Sequence, residues 1–327
     1  MRSIRRLGIF TSGGDAPGMN ACVRAVTRTA IAHDLGVWGI RRGYEGLIEG
    51  DFVKMDGRSV SNIVQTGGTI LKSARSPRFF GEEGRQQAAC HVEEAGLDAL
   101  VAIGGDGTFA GGALFHDEHD VPIIGCPGTI DNDLYGTDET IGYDSALNTA
   151  IENIDRIRDT ADAHDRLFLV EVMGRDAGFI ALNSGIGGGA ELVLIPETVT
   201  NMNEIKERIH SLMTAQTRSS IVVVAEGDEL GGAEKLKREL QSDGSFDEID
   251  LRVCILGHTQ RGGAPTARDR VLASRLGAAA VDALIDGHDS VMVGLVNGEL
   301  KLTGLRGVGR RKKSIDYELL KLTQVLS

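Results

Sequence analysis

Eight short apolar runs, separated by longer segments with helical periodicity, constrain this chain more than any other feature. They are Leu7–Phe10, Ala99–Ile103, Pro122–Gly125, Leu167–Val172, Leu192–Ile195, Ile221–Ala225, Val253–Leu256 and Val291–Val296. Each is continuously apolar rather than alternating, which predicts strands covered on both faces, as in parallel sheets flanked by helices. Helical spacing is strongest in Asn20–Ala32, Asp144–Thr160, Met202–Ala215 and Arg268–Ile285; in the second, Leu147, Ile151, Ile154 and Ile157 form one stripe. The expected fold class is α/β, with two interleaved Rossmann-like three-layer α/β/α domains and mainly parallel sheets. A chain of 327 residues has length for two domains. No low-complexity linker separates them, so the chain is expected to cross near residues 140 and 255. The domains are then 1–140 plus 256–305, and 141–255 plus 306–327.

Composition excludes several classes. Glycine supplies 44 residues and proline only 6, and 41% of residues are hydrophobic, which is not the composition of disorder. The net charge of −12 opposes non-specific binding to nucleic acid or anionic lipid. The basic stretch Arg306 to Lys313 reads as a solvated tail before the last helix. Cys22, Cys90, Cys126 and Cys254 lie far apart without ligand spacing and read as reduced thiols. The apolar stretch after the basic start is too short for a signal peptide, and no run is long enough to span a membrane. A cytoplasmic location is the expectation.

In open α/β sheets ligands sit beyond the carboxyl ends of strands, so those ends are where chemistry is expected. Thr11-Ser12-Gly13-Gly14-Asp15 and Gly104-Gly105-Asp106-Gly107-Thr108 each follow a strand and precede a helix, where backbone can approach phosphate. Gly105 to Ala110 satisfies a dinucleotide pattern, as does Gly185 to Ala190, but Asp106 would repel a bare pyrophosphate. A bridging Mg²⁺ reverses that repulsion, which favours a Mg-nucleotide reading. Pro127-Gly128-Thr129-Ile130-Asp131-Asn132-Asp133, read as extended, puts Asp131 and Asp133 on one side as paired carboxylates. Arg175 follows another strand, and His258 and Arg261 another still, with Arg75, Arg166 and Arg252 as further phosphate-matching guanidiniums. His116-Asp117-Glu118-His119-Asp120 has metal-like composition but reads as a solvated connection.

Together GIFTSGGDAPGMNA, GGDGT, PGTIDND, DRIRDT, EVMGRDAG and LGHTQRGGAPTARDR closely resemble the bacterial-type ATP-dependent 6-phosphofructokinases, over roughly 280 residues in order. The resemblance implies transfer of the γ-phosphoryl group of MgATP to the 1-hydroxyl of fructose 6-phosphate. Asp131 matches the general base and Asp106 the Mg²⁺-site acid, with Arg75, Arg175, Thr129 and Asp133 in the same catalytic set. Gly14, Arg75, Ser76, Gly105, Asp106, Gly107 and Thr108 match ATP-binding positions. Thr129, Ile130, Asp131, Met173, Gly174, Arg175, Glu226, His258, Thr259, Gln260 and Arg261 match sugar-phosphate contacts. Arg166 and Arg252 match arginines that family members contribute from a neighbouring subunit, which implies a homotetramer sharing its substrate site.

Donor choice and regulation follow from the same resemblance. Pyrophosphate-dependent relatives carry Asp where this chain has Gly107 and Lys where it has Gly128, so ATP is the expected donor. A pyrophosphate-dependent enzyme and a non-catalytic metabolite-sensing paralogue are the competing readings. Arg24, Arg28, Arg158 and Glu191 match effector-site positions, but Ala215 and Thr217 stand where lysines are expected and Asp51 where an arginine is. Fewer cations imply a blunted response to phosphate-rich effectors.

Overall fold

A computed structural model describes residues 4–162, 166–199, 201–214, 220–242, 244–247 and 249–326. The chain runs β1 (Arg6–Thr11), α1 (Met19–Ala32), β2 (Gly36–Ile40), α2 (Tyr44–Glu49), β3 (Phe52–Met55), α3 (Glu82–Glu94), β4 (Ala99–Gly104), α4 (Asp106–His119) and β5 (Ile123–Pro127). It continues through α5 (Tyr143–Asp162), β6 (Leu167–Val172), α6 (Phe179–Gly187), β7 (Leu192–Leu194), α7 (Met202–Thr214), β8 (Ser220–Ala225), α8 (Ala233–Gln241) and β9 (Leu251–Ile255). It ends with α9 (Ala267–Ile285), β10 (Val291–Val296), β11 (Glu299–Gly304), α10 (Leu305–Val308) and α11 (Tyr317–Leu326). Two compact units result. The larger comprises Met1–Ile130, Leu134–Ser145 and Arg261–Lys313, the smaller Asp131–Asp133, Ala146–Gln260 and Ser314–Ser327.

The larger unit holds a seven-stranded sheet in the order β11-β10-β5-β4-β1-β2-β3, parallel except at its two edges. Side-chain alternation divides its faces. Phe10, Ile40, Leu100, Ala102, Ile123 and Met292 pack under α2, α3, α4 and α10. The opposite parity, including Ile9, Val101 and Ile124, is equally buried, and α1 and α9 pack together along the sheet. The strands β2, β3 and β11 carry no continuous apolar run. Glycines interrupt β2, while β3 and β11 are partly exposed edge strands that need apolar residues on one face at most.

The smaller unit holds four parallel strands in the order β7-β8-β6-β9. Leu167, Leu169, Val222 and Val224 meet Ile205 and Ile209 of α7 and Leu236 and Leu240 of α8 in one core. Gly187 and Gly188 permit the crossing of α5 over the end of α6, because a Cβ there would press on Ile151 Cδ1 at 2.8 Å or Ile154 Cγ2 at 2.6 Å.

Two sequence readings are corrected. His116 to His119 form the last turn of α4, with Asp120 as its cap, not a solvated connection. Glu118 forks onto buried Arg85, His116 Nδ1 bonds Val121 O at 3.0 Å, and His119 tilts against Phe115. The basic stretch is likewise anchored to the chain. Arg306 pairs with Asp117, Arg311 stacks over the Tyr135 ring at 5.1 Å, and Lys313 donates to Asp138 O. These tethers place residues 306–313 in the larger unit.

Candidate functional site

In the larger unit β5, β4 and β1 are neighbours, so three sequence-separated loops lie side by side at their carboxyl ends. The Ser12 N–H donates to Ile103 O and the Gly128 N–H to Gly104 O, both at 2.9 Å. Chain direction across the sheet reverses between β1 and β4, the switch point where ligands bind in such folds. The first residue of α4 is Asp106, so the amino-terminal N–H groups of that helix face the same loops and favour an anion. Side chains are excluded here by space. A Cβ at Gly104 would strike Ser12 and Thr108, and one at Gly14 would occupy the position of the Arg261 guanidinium. That guanidinium donates to Asp15 O at 3.1 Å, which brings sequence-distant Arg261 to the first glycine loop.

Gly107 and Gly128, paired in the sequence reading, differ here. Nothing lies within 4 Å of a Cβ at Gly107, whereas a Cβ at Gly128 would meet Ile103 Cγ2 at 2.9 Å and Met19 Cε at 3.2 Å. The first glycine leaves open volume beside Asp106; the second is enforced by the packing of the strand end. A carboxylate oxygen set beside open volume fits a hydrated hard cation such as Mg²⁺.

The walls around these loops are held by side chains the sequence reading did not single out. Tyr44 Oη donates to Thr108 O, and burial pushes its pKa upward, so it remains a donor. Glu45 accepts from Ser76 Oγ at 2.5 Å and from Arg78 at 2.6 Å, which lowers its pKa, while Arg75 is exposed. Arg85, only 7% exposed, donates to the carbonyls of Phe79 and Phe80 and so fixes the turn after Ser76. Thr129 O accepts from Thr140 Oγ1 at 2.6 Å, and Ile130 is fully buried.

Asp131 is 6% exposed, but the segment is not extended as expected. Asn132 adopts a left-handed conformation, φ 55°, so the alternation that would align Asp131 with Asp133 is broken between them. Asp131 is buried and Asp133 half-buried. Asn tolerates this conformation better than most residues, which explains its place in the turn.

At the carboxyl ends of β6 and β8 the smaller unit uses charge. Glu226 accepts the N–H of Arg175 at 2.7 Å and of Gly174 at 3.3 Å. It thereby supports Arg175 in a left-handed conformation, φ 56°, that costs a non-glycine residue about 1–3 kcal/mol. Met173 is buried beside them. After β9, His258 and Thr259 are exposed on a 3₁₀ turn, whereas Gln260 is fully buried and donates back to Gly257 O at 3.1 Å.

Of the effector set, Arg158 and Glu191 meet at 3.1 Å, and Glu191 also accepts the Ile221 N–H at 2.6 Å. Arg24 and Arg28 lie on α1, Arg28 reaching Gly57 O at 3.5 Å. Asp51 faces Arg41 and Arg42. Ala215 and Thr217 fall outside the described residues.

Two carboxylates were missed in the sequence. Asp269 of α9, 1% exposed, accepts from the N–H groups of Gly142 and Ser145 and from Ser145 Oγ, and thus caps the first residues of α5; burial pushes its pKa up to about 6. Asp250 binds both Arg166 and Arg252. Its only signal was its place two residues before Arg252, on the same side of an extended segment.

Glycine-walled strand ends beside a helix amino terminus define a doubly wound α/β protein shaped for phosphate-bearing ligands. Residues 6–284 match the phosphofructokinase family, and the chain belongs to it. It is 55% identical to the ATP-dependent 6-phosphofructokinase 1 of Thermus thermophilus over 99% of this chain and 100% of that protein. It is 50% identical to the ATP-dependent 6-phosphofructokinase of Cytophaga hutchinsonii over 99% and 98%. The solved phosphofructokinase of Saccharomyces cerevisiae is similar with a TM-score of 0.86 and 37% identity over 98% of this chain, which spans 46% of the yeast chain.

Proposed function

We propose that this protein transfers the γ-phosphoryl group of ATP to the 1-hydroxyl of D-fructose 6-phosphate, giving fructose 1,6-bisphosphate and ADP, the committed step of glycolysis. The observation that carries this reading is the side-by-side placement of the β1, β4 and β5 loops with the start of α4. Phosphoryl transfer through a loose transition state asks for alignment and charge stabilisation more than for covalent chemistry. The larger unit is the ATP-binding domain. Backbone N–H groups at Gly14, Gly105, Gly107 and Thr108 would meet the phosphates, Arg75 and Ser76 would border the nucleotide, and Asp106 would hold Mg²⁺. The Mg²⁺ ion supplies neutralisation of phosphate charge when bound.

The smaller unit is the fructose 6-phosphate and effector domain. Asp131 takes the proton of the attacking hydroxyl, with Thr129 and Asp133 beside it in sequence, and Arg175 stabilises the transferring charge. Met173, Gly174, Glu226, His258, Thr259 and Gln260 of the smaller unit form or support the sugar-phosphate site, Gln260 through its packing, and Ile130 and Arg261 of the larger unit match further sugar-phosphate contacts, Ile130 through its packing. ATP rather than pyrophosphate is the donor, because Gly107 leaves open the volume an Asp would fill with negative charge.

A homotetramer working in the cytoplasm completes the proposal. Arg166 and Arg252 sit at the amino ends of β6 and β9, whereas Arg175 follows the carboxyl end of β6. Six residues of strand span about 20 Å, so the two ends of β6 do not reach one phosphate, and Arg166 and Arg252 serve the site of another copy. Arg158 and Glu191 of the smaller unit, and Arg24 and Arg28 of the larger, match effector-binding positions, with fewer cations than a strong phosphate effector needs. Formation of fructose 1,6-bisphosphate, followed by coupled assay with ATP and then with pyrophosphate, tests the reading. Turnover with ATP is expected; dominant turnover with pyrophosphate, or none with either, would overturn it.

A further inference from the structure

Arg166 and Arg252 are drawn together by one carboxylate. Arg166 Nε donates to Asp250 Oδ2 at 2.6 Å, Arg252 Nε reaches Oδ1 at 2.6 Å, and Arg252 Nη2 reaches Oδ2 at 3.2 Å. The contact is built into the sheet, since β6 and β9 pair in parallel with Leu167 opposite Leu251 and Phe168 opposite Arg252. Asp250 therefore lies one step beyond the last pair, beside Arg166, and the Leu167 N–H donates to its backbone carbonyl at 3.3 Å. Both guanidiniums are gripped by their Nε edges, the edge nearest the side-chain stem. Arg166 meets Asp250 through Nε and Arg252 through Nε and Nη2, which leaves the Nη nitrogens of Arg166 and Nη1 of Arg252 as the donors turned away from the carboxylate, of the kind that meet phosphate oxygens. The two guanidiniums in turn hold the Asp250 carboxyl below its usual range, Arg252 most strongly, so it stays an acceptor.

We propose that Asp250 is a positioning residue that preorganises Arg166 and Arg252 as a single clamp for the 6-phosphate of the sugar substrate. The inference rests on the reading of those arginines as substrate-phosphate contacts. Arg252 is 54% exposed and on the edge strand β9, where its ion pair with Asp250 restrains a long, rotamer-rich side chain. Ordering it before substrate arrives lowers the entropy lost on binding. The net charge of the trio remains +1, enough to attract a phosphate.

The test compares Asp250→Ala, Asp250→Glu, Arg166→Ala and Arg252→Ala in the full chain. Each is assayed for kcat and for KM toward fructose 6-phosphate and ATP, with a thermal melt to confirm folding. Asp250→Ala is expected to raise KM for fructose 6-phosphate about tenfold while KM for ATP stays within twofold and kcat within threefold. Asp250→Glu, which keeps the charge and the fork, is expected to recover most of that loss. Unchanged or lowered KM for fructose 6-phosphate in a folded Asp250→Ala overturns the inference, showing that the carboxylate is idle or competes with phosphate. If the arginine variants also leave that KM unchanged, the reading of the arginines fails as well; if they raise it, only the role of Asp250 fails.

Discussion

The two units approach phosphate chemistry by different physical means. The larger presents backbone: at Gly14 and Gly104 side chains are absent because another group already occupies the space. The smaller presents charge, with acids set beside several of its arginines. Glu226 supports the Arg175 turn, Asp250 holds Arg166 and Arg252, and Glu191 meets Arg158. A backbone-lined site inherits its geometry from the sheet. A guanidinium at the end of a flexible stem needs a counter-charge to have a geometry at all. Damage should therefore differ in kind between the units, with loss of chemistry or substrate affinity in the smaller and clashes or repulsion in the larger.

The largest expected effect is at Asp131. Asp131→Ser is expected to lower kcat by about 10²–10⁴-fold, as for a lost general base, with ATP affinity nearly unchanged by calorimetric titration. Turnover near normal would remove Asp131 from the chemistry and break the contrast on the side of the smaller unit.

The next effect divides the two glycines of the larger unit. A Cβ at Gly107 enters open space, so Gly107→Asp is expected to leave the melting temperature close to that of the parent while raising KM for ATP tenfold or more through like-charge repulsion. Gly128→Ala presses on Ile103 and is expected to cost about 1–3 kcal/mol in urea denaturation, as overpacked sites do. Equal destabilisation by both would show that open volume and enforced packing were wrongly distinguished.

The smallest effect concerns Asp269. Its folded pKa, near 6, lies above the unfolded carboxylate value of about 3.9, so between these the native state binds more protons. Its contribution to stability is therefore fullest below pH about 4 and is lost as pH rises through 6. Asp269→Asn, which cannot accept all three hydrogen bonds, is expected to destabilise by about 1–3 kcal/mol, with the deficit shrinking from pH 4 to pH 7. A deficit that grows with pH would reverse the assigned direction.

Much of this architecture was legible beforehand because burial on both faces leaves an unbroken apolar run. All eight such runs are strands, within a few residues at each end. The strands that escaped notice, β2, β3 and β11, are interrupted by glycine or lie at sheet edges, where one face needs no apolar cover. Glycine loops were legible for a related reason, since a doublet after an apolar run has few explanations. Gly67 and Gly232, outside those loops, serve packing: a Cβ at Gly67 would strike the backbone of Gly263, and one at Gly232 would meet Glu171.

By itself the sequence determined the parallel α/β class, the order of its principal strands and the residue types at their ends, because hydrophobic periodicity and glycine act locally. Only the tertiary structure decided which distant groups meet. It set Arg261 at the first glycine loop, Asp269 under the start of α5 and Asp250 between two arginines, and it turned Asn132 out of the extended conformation. These are contacts between residues up to 246 positions apart, or conformations imposed by surroundings. The pairing of an arginine with its acid is fixed by strand register and helix packing, and neither residue carries a sign of its partner.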